Sequence, residues 1–395
     1  MTHCTRRNIL KSSAALAGTG LLLPALTQAQ AGAKVRIGLM LPYTGTYAQL
    51  GVAIENGFRL ALAERGGKFG GRELEFFKVD DEADPAKASE NTNKLVQRDK
   101  VDVLVGTVHS GVQMGMVKIA RETGILHIIP NAGAGPATGA LCAPNIFRTS
   151  FTNWQSIYPL GQHVFGKGHK TAVFITWKYG AGEEAAEGFR EGYAKAGGKI
   201  LKEMFLPFPN VEFQALLTEI AALKPDAVCC FFAGGGAAKF IRDYAAAGLK
   251  GKIALYGSGF LTDGILDAVG DSAEGIETTL HYADGIDTKR NNAFRLAYAT
   301  TFKLQPDVYA VQGYDAGLLL AAGMDAVKGD IANKAGMIKA METAKIDSPR
   351  GAWTMSKAHN PVQDIYLRRV VGKENRLVSV AQKALADHAR GCKMV

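Results

Sequence analysis

The regular alternation of apolar runs with amphipathic stretches constrains this chain more than any other feature. "KVRIGLMLP" (34–42) reads as a buried strand, and behind it Leu50, Ile54, Phe58 and Leu62 recur at i, i+4 steps on one helix face. "LEFFKVDDEA", a helix over 86–97, "VDVLVGT", a helix over 111–122 and "LHIIP" continue the pattern. A second series follows "NIFRTSFTNWQS": strands "TAVFITW", "KILKEMFLP", "DAVCCFFA" and "KIALYGS", with helices between them. Strand–helix alternation at this spacing predicts parallel, doubly wound sheets, here two of them. Helical stretches near 292–302, 309–327 and 334–343 come next, and "DIYLRRVVGKENRLVSV" reads as a hairpin. No Gly/Ser or Pro linker separates the series, which predicts lobes joined by several short crossings.

The first 31 residues fall outside this pattern. "TRRNILK" precedes a short apolar stretch and the small-residue site "AQA" (29–31), the layout of an export signal. The Arg6–Arg7 pair resembles the twin-arginine type. The expected mature chain starts near Gly32 and is free in the periplasm. Removing Arg6, Arg7 and Lys11 lowers the formal charge from +9 to +6. The basic residues are dispersed, so nucleic-acid binding is not expected.

Cys4 leaves with the signal. Cys229 and Cys230 are neighbours on an apolar strand and read as small core thiols. Cys142 and Cys392 remain for one long-range disulfide between the C-terminal tail and the first lobe, a pairing that spacing does not decide. No CxxC or paired-histidine spacing suggests a metal.

The pair His109–Ser110 in "VGTVHSG" raises the question of a nucleophile with its base. No GxSxG, HExxH or GxxxxGK[ST] pattern supports chemistry. "GAGPATG" (133–139) has the wrong spacing for a dinucleotide loop. The acidic run "VDDEADP" reads as a solvated strand end, with Asp84 capping a helix that starts at Pro85. A helix N-terminus beyond a parallel strand is instead suited to a carboxylate, and Ser110 is expected to cap that helix.

"IGLMLPYTGTYAQLG", "GGRELEFFKVDDEADPAKA", "VGTVHSG", "GILHIIPNAGA", "KYGAGEEAAEGF", "IRDYAAAGLKG" and "DSAEGI" appear in an order that resembles the type I periplasmic binding proteins of ABC importers, in the branched-chain amino-acid-binding (Leu/Ile/Val) group. The resemblance spans the mature chain. It implies two Rossmann-like lobes, three crossings, hinge closure on a small molecule and delivery to a membrane permease, with no catalysis and no cofactor. The expected division is 32–150 plus 281–349 for lobe 1 and 151–280 plus 350–385 for lobe 2. Residues 386–395 are expected to return to lobe 1. A monomer is expected.

The family's site residues transfer unevenly. Ser110 matches the serine that holds a ligand carboxylate. Asn131, Ala132 and Gly133 match the segment where the family carries a Thr or Ser that grips an amino-acid head. Tyr179 matches the second-lobe tyrosine, while Ala233 and Gly234 replace another. Ser258 stands near the acidic residue that takes an α-ammonium. A buried ammonium without that partner is costly, which argues against an amino-acid ligand. With Phe232, Tyr179 and Tyr309 nearby, the expected ligand is a flat aromatic acid of the benzoate, hydroxybenzoate or phenylpropenoate kind. "PNAGA", "FRTSFTNWQ" and "DVYAVQGYD" resemble that branch. The family's first-lobe disulfide positions appear as Ala83 and His109, so a Cys142–Cys392 bridge would replace it. The alternatives are an amino-acid receptor of the same family, a ligand-sensing regulator of the same fold and a secreted α/β hydrolase using Ser110 or Ser258.

Overall fold

Two β-sheets, each flanked by helices, organise residues 33–395, the part of the chain that this computed structural model describes. The export-signal reading of residues 1–31 lies outside them. The first sheet comprises β1 (Val35–Leu41), β2 (Lys68–Phe69), β3 (Arg72–Asp80), β4 (Val103–Gly106), β5 (Leu126–Ile129) and β6 (Ile146–Arg148), in spatial order β2-β3-β1-β4-β5-β6. β1 pairs in parallel with β3 and β4. β4 and β5 are wholly buried, because helices cover both faces of a parallel sheet and leave no polar side. Helices α1 (Ala48–Ala63), α2 (Ala88–Asn93) and α3 (Ser110–Thr123) connect these strands. Asp84 accepts the Ala86 N–H and so caps the 3-10 turn that Pro85 opens.

The second sheet holds β7 (Thr171–Lys178), β8 (Lys199–Pro207), β9 (Ala227–Phe231), β10 (Ala254–Ser258) and β11 (Glu277–Leu280). It also takes the late strands β12 (Thr354–Met355), β13 (Pro361–Val371) and β14 (Glu374–Leu385). Its order is β12-β13-β11-β10-β9-β7-β8, with β14 hairpinned on β13. Four helices accompany the parallel part: α4 (Asn153–Gly166), α5 (Gly180–Ala196), α6 (Gln214–Leu223) and α7 (Gly234–Ala246). Between β10 and β11 lies the short α8 (Leu266–Val269). Of the three later helices, α9 (Lys289–Phe302), α10 (Val308–Ala326) and α11 (Lys334–Glu342), α9 and α10 pack on α1 beside the first sheet, and α11 packs on α10. The chain therefore passes between the sheets three times: after β6, after β11 and before β12.

Buried arginines tie the crossings together. Arg350 donates to the Thr149 and Ser150 carbonyls and pairs with Asp315 at 3.1 Å. Gln363 also donates to the Ser150 carbonyl, and Arg148 donates to the Asn360 Oδ1. Peptide groups that leave a sheet lose their ladder partners, and these side chains supply replacements.

Cys142, between β5 and β6, is disulfide-bonded to Cys392, with Cα atoms 5.5 Å apart. The tail after β14 also binds the helices of the second sheet: Asp387 accepts from Thr152 Oγ1, and Arg390 pairs with Glu187. Cys229 and Cys230 are buried free thiols on β9.

Candidate functional site

The end of β4 leads into α3 through His109, and the capping role falls to His109 instead of Ser110. His109 has extended backbone angles (φ −77°, ψ 123°), and its Nδ1 accepts the Gly111 N–H at 3.1 Å. Ser110 already belongs to the helix, so its side chain does not reach back to the free N–H groups. The Ser110 Oγ instead receives the Asn153 Nδ2–H at 3.3 Å. Burial pulls the His109 imidazole down to about 4, and its ring stacks on Tyr179 at 4.8 Å. A neutral ring whose Nδ1 is committed to its own helix is poorly equipped to activate Ser110.

The segment after β5 packs against the first crossing. Asn131 donates to Gln312 Oε1 at 2.6 Å, and Gln312 Nε2 faces His281 Nε2 at 3.3 Å. An amide nitrogen only donates, so His281 Nε2 accepts and the ring proton sits on Nδ1. The Ala132 N–H is bonded to the Thr107 carbonyl, and Gly133 accepts the Asn153 N–H. A Cβ at Gly133 would lie 2.5 Å from Asn153 Oδ1 and 2.7 Å from Phe151 Cε2. A Thr or Ser here would displace both groups.

Besides the His109–Tyr179 stack and the Asn153 bonds to Ser110 and Gly133, the second lobe touches the first through Tyr179 and the start of α7. The Tyr179 and Tyr47 hydroxyls are 3.0 Å apart. At the start of α7, the Gly236 N–H donates to Thr46 Oγ1 at 3.1 Å. Gly234 has φ +58°, and a Cβ there would sit 2.2 Å from the Thr46 carbonyl oxygen. Gly234 therefore serves lobe-to-lobe contact, while Ala233 is the extended N-cap of α7. Phe232 corrects an expectation: its ring packs against Trp177, Phe213 and Phe240 in the core of the second lobe. The residue after β9 points inward because side chains alternate along a strand end.

The aromatic surface is built by other rings. Phe151 lies 4.7 Å from Phe260, which lies 5.9 Å from Tyr309, and Phe151 also stacks on His281 at 5.6 Å. Ser258 ends β10 two residues before Phe260. The Ser258 Oγ, Tyr309 OH, Gln113 Nε2 and His281 Nδ1 are buried atoms without a hydrogen-bond partner. Gln113 is held by its other end, which accepts the Ala134 N–H. Burial drives the Tyr309 hydroxyl well above its ordinary value, so it stays protonated. All four groups can donate, and each costs about 1–3 kcal/mol while unpaired. They suit a ligand rich in acceptor oxygens. Among neighbouring acids, Asp263 is already paired with Arg368 at 2.7 Å. Glu184 is committed to Gly135 and Asn153.

The sequence reading missed Thr46, Tyr47, Gln113, Phe151, Asn153, Glu184, Phe260 and His281. One signal was available for Asn153: Thr152 and Gln155 form a capping box, which fixes Asn153 in the first turn of α4.

Residues 34–375 match the family model described as "Periplasmic binding protein". The chain belongs to the periplasmic binding protein family. A solute-binding protein of an ABC transporter from R. palustris, solved in complex with benzoate, superposes with a TM-score of 0.90 at 52% identity, over 91% of this chain and 99% of that one. A second solute-binding protein, from Rhodopseudomonas palustris BisB5 in complex with 3,4-dihydroxybenzoic acid, gives a TM-score of 0.85 at 30% identity, covering 90% and 99%. Leu/Ile/Val-binding protein homolog 6 of Brucella abortus (strain 2308) is 30% identical over 350 residues, 85% of this chain and 87% of the relative. The two-lobed α/β fold of this periplasmic family is thus the fold of this chain.

Proposed function

We propose that this chain is the solute receptor of an ABC importer and captures an aromatic carboxylate between its lobes. The observation that carries the reading is a ring stack, Phe151, Phe260 and Tyr309 with His281 against it, in which the Tyr309 hydroxyl and the His281 Nδ1 are buried donors without partners. A benzoate-type ligand offers a flat face to the rings and oxygens to the donors. Ser110 and the N-terminus of α3 hold the carboxylate. Ser258 provides no charge for an ammonium. The benzoate and dihydroxybenzoate held by the two R. palustris relatives support the same ligand class. The ligand leaves chemically unchanged, handed to a membrane permease by a monomeric receptor. Residues 1–31 direct export to the periplasm and are removed near Ala31.

The Brucella relative named for leucine, isoleucine and valine makes an amino acid the control ligand. A thermal-shift panel of benzoate, 4-hydroxybenzoate, cinnamate, leucine and an aliphatic acid tests the reading. A ligand at a hundred times its Kd adds about 2.7 kcal/mol of stability. Stabilisation by an aromatic acid and none by leucine is expected, and the reverse pattern refutes the proposal.

A further inference from the structure

We propose that Glu184 is a positioning residue for ligand capture, acting through the Asn153 amide to hold the Ser110 hydroxyl as a donor toward the bound carboxylate. The inference rests on the aromatic-carboxylate reading of the cleft. Glu184 stands in the first half of α5, on the second sheet, and belongs to the "KYGAGEEAAEGF" stretch. Its carboxylate accepts the Gly135 N–H on both oxygens, at 3.1 and 3.0 Å, and the Asn153 Nδ2–H at 2.8 Å. Gly135 follows β5 of the first sheet, so this carboxylate spans the lobes. The same Asn153 nitrogen reaches Ser110 Oγ.

Donor and acceptor inventories fix the direction of the relay. An ionised carboxylate can only accept, so Glu184 selects the amide orientation that presents the NH2 group. That NH2 carries two protons and gives one to each oxygen. A serine hydroxyl that accepts in this way keeps its single proton for another partner. With the amide turned over, Asn153 Oδ1 would face the Glu184 carboxylate and would draw in the Ser110 proton. Gly133 leaves room for this amide, because a Cβ there would lie only 2.5 Å from Oδ1.

The test is a double-mutant cycle read by calorimetric titration of benzoate into the full mature chain. Glu184→Gln lets the amide turn over and should weaken binding about tenfold, the scale of one hydrogen bond. In a Ser110→Ala background the same change should alter the Kd less than twofold. Asn153→Ala, crossed with Ser110→Ala, should repeat the coupling and serves as the second variant if Glu184→Gln folds poorly. Equal losses in both backgrounds give Glu184 a structural role and overturn the relay while leaving the ligand reading intact. Unchanged benzoate affinity in Ser110→Ala overturns the relay together with the anion-holding role of Ser110.

Discussion

Replacing Gly234 with alanine isolates lobe closure from ligand contact. The residue sits at φ +58°, a conformation that costs a non-glycine residue about 1–2 kcal/mol. That strain belongs to α7 and its cap, so it is present whether or not the lobes meet. The second penalty arises only on closure: the new Cβ would stand 2.2 Å from the Thr46 carbonyl oxygen, a backbone atom with no flexible end to swing aside. Relieving such an overlap costs about 1–3 kcal/mol. A closed state disfavoured by that amount raises the apparent Kd about 5- to 150-fold, because affinity scales with the population able to close. Calorimetric titration gives the Kd, and unfolding of the unliganded protein gives the strain separately. A Kd within twofold of wild type, alongside a measurable loss of stability, would refute the account of Gly234 as a closure contact.

Cys392→Ser should lower stability by about 2–4 kcal/mol, the usual worth of a bridge, and reductant should do the same to wild type but nothing further to the variant. Arg350→Ala leaves Asp315 buried without its partner and should cost about 3–5 kcal/mol in urea unfolding. For pH, burial pulls His127 down to about 4 from an ordinary 6.5. The unfolded chain takes up that proton below 6.5 and the folded chain only near 4. Wild type should therefore lose stability relative to His127→Gln as pH falls through this window, at about 1.4 kcal/mol per pH unit. Parallel curves for the two proteins would show that His127 is not held neutral.

The sheets were legible because buried parallel strands print as unbroken apolar runs, as "VLVG" and "AVCCF" do. The location of Ser110 was legible too, since the apolar run "VLVG" ends shortly before it and the helical pattern begins at about Gly111. Its role was not: whether a serine caps a helix or opens it depends on the backbone of the residue before it, here His109. Tyr309 lies on a helix buried on nearly every side, so no periodicity reveals which face meets the cleft. Phe232 and Phe260 look alike in sequence, but one continues the line of β9 into the core while the other sits in a 3-10 turn after β10 and joins the ring stack. The Glu184–Asn153–Ser110 chain joins residues 31 and 43 positions apart, beyond any local pattern.

The most direct test of the central claim is a calorimetric titration of benzoate into the mature chain, unfolded and refolded first to strip any ligand retained from purification. The account predicts saturable one-to-one binding with a Kd of about 1 μM or tighter, and no heat from leucine under the same conditions. Stoichiometric binding of leucine with no response to benzoate or its hydroxylated forms would contradict it.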